Sequence, residues 1–216
     1  MKPRFPKAIF FDFDGVILES ADIKTDAFLE VFKDYPEHLE SINKYHLQHM
    51  GVSRFKKFEW IFKELLHRPL DEETSQNLGN QFSDIVLEKV LAAPFVPGAM
   101  QLLDLVYQKT LCFIASGTPQ IELKGIVHNR KIAQYFVEAH GSPATKTEIV
   151  EDVLKRFNLD RSNCWFVGDA TSDYDSATAT GLTFVARNTP SMSAYWKSKQ
   201  DVKIVESLDE MLNFWE

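Results

Sequence analysis

Asp12 and Asp14 lie two residues apart in Phe10-Phe11-Asp12-Phe13-Asp14-Gly15, at the end of an apolar run. Two carboxylates in such a setting are costly unless something neutralises them, and a divalent cation would do so. Three later segments carry groups that could share this chemistry. In Ile114-Ala115-Ser116-Gly117-Thr118-Pro119, small residues let backbone N–H groups approach an anion, and Ser116 or Thr118 can add a hydroxyl. Pro119 suits the first turn of a following helix, whose positive end also favours phosphate. Lys146, after Gly141-Ser142-Pro143-Ala144-Thr145, is a flexible point charge able to meet a phosphate oxygen and a carboxylate together. On spacing alone, Lys124, Lys131 and Lys155 are also within range. Val167-Gly168-Asp169-Ala170-Thr171-Ser172-Asp173 offers two more acidic donors, with Asp175 competing with Asp173 for the second place. Hard oxygen ligands with room for water and phosphate suit magnesium better than zinc, and no Cys/His spacing suggests zinc.

These groups need elements to hold them. Lys7 to Phe13 reads as a short buried strand, closed by the Asp14-Gly15 turn signal. Alternation along that strand would turn Asp12 and Asp14 to the same side. From about Ser20 to Leu91 the pattern is helical, as in DIKTDAFLEVFKDY, SRFKKFEWIFKELL and DEETSQNLGNQFSDIVLEKVL. Phe55, Phe58, Ile61, Phe62, Leu65 and Leu66 recur at helix spacing, which is most simply internal packing. His38, His46, His49 and His67 lie in the same stretch and receive no role. After Pro94 and Pro97-Gly98, helix-like segments alternate with strand candidates at Leu111, Tyr135, Cys164 and Leu182, and VKIV from Val202 adds a candidate edge. The pattern predicts an α/β fold: a mostly parallel, doubly wound sheet interrupted after its first strand by an all-helical insertion. Ligands of such sheets bind beyond the carboxyl ends of the strands, where all four segments fall.

The composition narrows the function classes. Of 216 residues, 44% are hydrophobic and 25% charged, the balance of a globular protein. A net charge of -7 argues against nucleic-acid binding, which needs a basic stripe. No apolar run approaches the roughly 20 residues that span a bilayer, so no membrane partner is expected. The opening MKPRFPKAIFFDFDG has acidic residues inside its apolar run and does not read as a signal peptide. Cys112 and Cys164 look like small buried hydrophobes, in keeping with a reducing cytoplasm. Monomer and dimer are both compatible with the sequence.

DFDGV, SGT, a lone lysine and GDATSD, in that order, resemble the four motifs of the haloacid dehalogenase-like hydrolase superfamily, over nearly the whole chain. The resemblance implies a Rossmann-like core from residues 1–17 and 94–216, with a helical cap at 18–93. It also implies a role for each matching residue. Asp12 would be the nucleophile and Asp14 the general acid/base. Ser116 and Gly117, with Thr118 beside them, would grip phosphate, and Lys146 would orient it. Asp12, Asp14, Asp169 and Asp173 would hold Mg2+. The strands bearing Cys112 and Cys164 would flank that of Asp12, about 9.5 Å apart and too far for a disulfide. Dehalogenases of the superfamily lack the second aspartate, so Asp14 implies a phosphatase acting on a small phosphorylated metabolite.

Cap residues near the hinge would choose the substrate: Glu19, Ser20, Lys24, Gly51, Val52, Ser53 and Arg54. Lys24 and Arg54 together suggest a second anionic group on it. Gly51-Val52-Ser53-Arg54 resembles a segment of β-phosphoglucomutases, which keeps a sugar phosphomutase as an alternative, although those enzymes carry a histidine at the place of Lys24. A non-catalytic phosphate-binding module is a further alternative.

Overall fold

The computed structural model describes residues 5–215. Strand β1 (Ala8–Phe11) is buried throughout, Ala8 and Phe10 facing one apolar cluster and Ile9 and Phe11 the other. A parallel strand covered on both faces demands a continuous apolar run, and this segment supplies one. Strands β2 (Leu111–Pro119), β3 (Glu138–Ser142), β4 (Cys164–Gly168), β5 (Thr183–Arg187) and β6 (Lys203–Val205) complete a six-stranded sheet. Its order is β3-β2-β1-β4-β5-β6 and every pairing is parallel. This is the expected Rossmann-like sheet. The chain winds from β1 to one edge, then returns to β4 and winds to the other. The switch point therefore lies between β1 and β4, where such sheets bind ligands.

Helices α5 (Ala99–Val106), α6 (Gln120–Asn129), α7 (Lys146–Arg156), α8 (Thr171–Thr180) and the short α9 (Ser193–Lys197) accompany the sheet, but four others intervene before β2. These are α1 (Ala21–Val31), α2 (Leu39–Gln48), α3 (Arg54–Trp60) and α4 (Glu72–Ala92). Phe28 of α1 packs on Phe58 of α3 and Phe82 of α4, with ring centroids 5.6 and 6.1 Å apart. The apolar spacing that predicts one helix through Leu66 instead yields α3 followed by a π-helical turn at Ile61–Leu65. Leu66 N–H closes it on the Ile61 carbonyl, and His67 then leaves the helix with φ 49°. Entry and exit of this helical insertion run side by side: Glu19 N–H donates to Pro94 O at 2.9 Å and Val96 N–H to Ile17 O at 3.1 Å.

Strand β3 begins at Glu138 rather than at Tyr135, because Ala133–Tyr135 closes a 3-10 turn and the Tyr135 hydroxyl donates to Asp104. Cys112 and Cys164 sit on the strands either side of β1, and both thiols are buried and unpaired. Among the described residues, no helix is long and apolar enough to cross a membrane.

Candidate active site

Asp12 follows β1 directly and remains in the sheet ladder, its N–H donating to Val167 O of β4 at 2.9 Å. Asp169 follows β4 across the switch point, and Asp173 lies in the first turn of α8. Carboxylate oxygens of Asp12, Asp169 and Asp173 lie within 4.8 Å of one another, and all three residues are buried. Asp173 is fixed from both sides: it accepts the N–H groups of Asp169 and Ala170, and Lys146 Nζ at 2.5 Å. Lys146 Nζ also reaches Asp12 Oδ2 at 3.1 Å. Lysine geometry thus separates Lys146 from Lys124, Lys131 and Lys155. Gly15 adopts φ +78°, and a Cβ there would collide with the Asp169 carboxylate, so glycine alone permits this approach.

One lysine does not neutralise three buried carboxylates. Burial, then repulsion from Asp173, pushes Asp12 up to about 7 against the pull of Lys146. Burial and the charges of Asp12 and Asp173 likewise raise Asp169. Burial alone would lower the Lys146 ammonium, but Asp12 and Asp173 hold it above its ordinary value. A cluster of hard oxygen donors short of positive charge is the chemistry that a divalent cation satisfies. The Asp14 carboxylate, expected among its ligands, stands outside this cluster of side-chain oxygens. Strand β1 ends at Phe11, so Asp14 belongs to the turn, and strand alternation does not orient it.

The Asp14 carboxylate instead accepts Ser20 Oγ at 2.6 Å, Lys24 Nζ at 2.5 Å and Thr118 Oγ1 at 2.9 Å. Burial pushes Asp14 up, but the Lys24 ammonium and these hydrogen bonds more than reverse it, leaving its pKa lowered. Lys24 also donates to Thr118 Oγ1 at 2.6 Å, so a helix of the insertion and a strand of the sheet clasp one carboxylate. Ser116 is buried, its Oγ accepting Thr118 N–H at 3.1 Å, and it lines an adjoining cavity with Lys146.

A cavity between sheet and insertion, about 590 Å³ with its mouth included, is lined by Asp12, Asp14 and Asp169 from the sheet and by Lys24, His46, Arg54 and Lys57 from the insertion. Gly51 closes over the core at φ +76°, where a Cβ would come within 2.8 Å of Lys146 Nζ. Ser172 Oγ donates to Met50 O at 2.8 Å and seals the same seam. Glu19 pairs with Arg187 at the end of β5.

A sequence model described as haloacid dehalogenase-like hydrolase matches residues 6–181. The chain belongs to this family. No curated protein matches its sequence. Among solved structures, it is similar to a predicted phosphatase from Clostridium acetobutylicum, with 21% identity, TM-score 0.74, and 97% of this chain and 98% of that one covered. A predicted phosphoglycolate phosphatase from Haemophilus somnus gives 19% identity, TM-score 0.72 and 99% coverage of both chains. A β-phosphoglucomutase from Clostridium difficile gives 17% identity, TM-score 0.73, and coverage of 96% and 93%. At these identities the likeness is one of fold.

Within this haloacid dehalogenase-like chain, one expected contact is already occupied. The sequence places Arg54 among the substrate contacts, yet its guanidinium grips Glu122 of α6 through Nη1–Oε1 at 3.1 Å and Nη2–Oε2 at 2.6 Å. Nη1 also donates to Ser83 and to the Gly79 carbonyl, and the Phe82 ring lies 4.1 Å away. Two polar residues of the cavity carry no role that the sequence alone assigns: Lys57 and His46. Lys57 is one of an adjacent pair with Lys56, and only its place three residues beyond Arg54, on the same helix face, could have marked it.

Proposed function

We propose that this protein is a Mg2+-dependent phosphomonoester hydrolase that takes the phosphoryl group of a small metabolite onto Asp12. The observation that carries this reading is Lys146 Nζ held against Asp12 inside a buried carboxylate cluster, with the separate carboxylate of Asp14 on the same cavity. A nucleophile and an acid/base are thus in different electrostatic environments, which is how two carboxylates acquire two roles.

An Asp12 oxygen attacks phosphorus as the bond to the ester oxygen breaks, and Asp14 protonates the departing oxygen. Asp14 is ionised without substrate, but an incoming phosphate repels its charge and competes for Lys24, both of which favour protonation. Asp14, having lost that proton, then takes one from water, which attacks the phosphoryl group, frees Asp12 and releases phosphate. Lys146 and the Gly117–Thr118 segment steady the charge on the phosphoryl oxygens. Asp12, Asp169 and Asp173 would hold the metal, which supplies further neutralisation of that charge when bound. Residues 18–93 act as a cap that excludes water from the cavity. The buried, unpaired thiols accord with a cytoplasmic setting.

A β-phosphoglucomutase-like reading is weaker here, because Arg54 is committed to Glu122 and Lys24 stands where those enzymes carry a histidine. Magnesium-dependent release of phosphate from 4-nitrophenyl phosphate, abolished in Asp12→Asn, is the expected result. No release by the wild type would sink the hydrolase, and conversion of a sugar phosphate without net phosphate release would favour the mutase.

A further inference from the structure

Five cationic side chains line the joined cavities: the exposed Lys56 and the partly or fully buried Lys24, Arg54, Lys57 and Lys146, and the last four face the interior. Three of these four have acidic partners: Lys24 has Asp14, Arg54 has Glu122, and Lys146 has Asp12 and Asp173. Lys57 has none among the described residues, although it is only 3% exposed. Its ammonium meets the His46 ring at Nδ1, 3.2 Å away, the His46 carbonyl at 3.5 Å, and the Phe28 ring at 5.5 Å. Burial, reinforced by the charges of Lys24 and Lys146, lowers Lys57 to about 7.

An unpaired ammonium buried this deeply is unfavourable for folding, so its retention calls for a partner that arrives later. His46 is built to present it. Burial and Lys57 lower the imidazole to about 3, so the ring is neutral. With Nδ1 accepting from Lys57, the ring proton sits on Nε2 and points to Thr25 Oγ1 at 3.1 Å. Thr25 in turn donates to Ala21 O at 3.2 Å, which anchors the chain of contacts to α1.

We propose that Lys57, positioned by His46, binds a second anionic group of the substrate, a carboxylate or a phosphate distinct from the transferred phosphoryl group. The substrate is then a small ester with negative charge at both ends, one end at Asp12 and the other among α1, α2 and α3. Arg54 does not fill this role, because Glu122 already neutralises it. The proposal rests on the phosphatase reading for which end reacts, but binding can be read separately from turnover.

The test uses matched esters in the Mg2+-loaded protein. Phosphoglycolate is compared with 2-hydroxyethyl phosphate, and propane-1,3-diol bisphosphate with its monophosphate, so the two arms separate a carboxylate from a phosphate. Calorimetric titration in the Asp12→Asn background reads affinity without hydrolysis. In at least one arm the doubly anionic ester should bind about tenfold or more tightly than its partner, the scale of one added ion pair in a dry site. Lys57→Met should bring the ratio close to one, and Lys57→Arg should keep part of it. Ratios near one in both arms, or a preference that survives Lys57→Met, would overturn the proposal. Lys57→Met should also melt at or above its parent, by about 2–4 °C, because it removes an unpaired buried charge. A markedly lower melting point would mean that Lys57 serves the fold, and would overturn the proposal too. If the binding preference holds but the wild type hydrolyses none of the four esters, the anion site stands and hydrolysis falls.

Discussion

Charge is distributed in opposite ways across the two halves of the site. At the strand ends, Asp12, Asp169 and Asp173 crowd around a single lysine, Lys146. On the insertion, Lys24, Arg54 and Lys57 face the same cavity, and one of the three lacks a countercharge. Lys146 and Lys57 are almost equally buried, yet carboxylates hold the first above its ordinary value, whereas burial, reinforced by Lys24 and Lys146, brings the second down to about 7. Burial alone therefore does not decide what a lysine does; the sign of its neighbours does. Each half is short of the charge that a ligand brings, a cation for the sheet and an anion for the helices.

Asp14 lies at the seam between the halves, bound by Lys24 from one and Thr118 from the other. Asp14→Asn should lower kcat/KM for an alkyl phosphate by about 10²–10⁴-fold, the usual range for a positioned acid/base. The loss should be smaller for 4-nitrophenyl phosphate, whose leaving group needs no proton. Equal losses on the two esters would remove Asp14 from protonation of the leaving group.

The two lysines should answer the same substitution with opposite signs. Removing one partner of a buried ion pair costs about 3–5 kcal/mol, so Lys146→Met should destabilise the metal-free protein on that scale. Lys57→Met should stabilise it. Denaturant unfolding of both variants checks this, and destabilisation of both would end the contrast between the halves.

Much of the sheet half was legible in the sequence because strand ends carry short, ordered signals. KAIFFDFDG and CWFVGD place apolar runs immediately before Asp12 and Asp169, and a parallel sheet aligns such ends. The helical half was less legible, because helix periodicity tells which face is apolar but not which polar side chain folds inward. Lys56 and Lys57 are indistinguishable by type, yet one is buried and the other is not. Arg54 read as a free cation because Glu122 lies 68 residues away, on a helix that only the fold brings near. Helix α2, with Ile42 and His46 as its buried residues, lacks the Phe and Leu stripe that marked its neighbours.

Magnesium should sharpen the contrast on the sheet side. Because burial and Asp173 raise folded Asp12 from 3.8 to about 7, its neutral form is favoured. Its contribution to stability is fully present below its unfolded pKa and is lost as pH rises through about 7. A divalent ion needs the ionised carboxylates, so it competes with that proton at low pH. Magnesium at a hundredfold excess over its Kd should add about 2.7 kcal/mol at about pH 8, and less at about pH 5.5. Thermal unfolding with and without the ion reads this, and a larger effect at the lower pH would contradict the assignment of the cluster.

Glu122→Gln tests the helical side with the smallest effect. Glu122 is partly exposed while Arg54 is buried, and Arg54 keeps Ser83, the Gly79 carbonyl and the Phe82 ring after the substitution. The cost to stability should therefore be only about 1 kcal/mol, below that of breaking a fully buried pair. What matters more is the charge left behind: Arg54 becomes a second unpaired cation beside Lys57. Affinity for doubly anionic esters should then rise, by less than about tenfold, since the guanidinium remains tethered away from its new partner. The preference for those esters should still depend on Lys57. If Glu122→Gln raises that preference strongly and Lys57→Met leaves it intact, Arg54 and not Lys57 is the cation that selects the substrate, with Glu122 as the group that holds it in check.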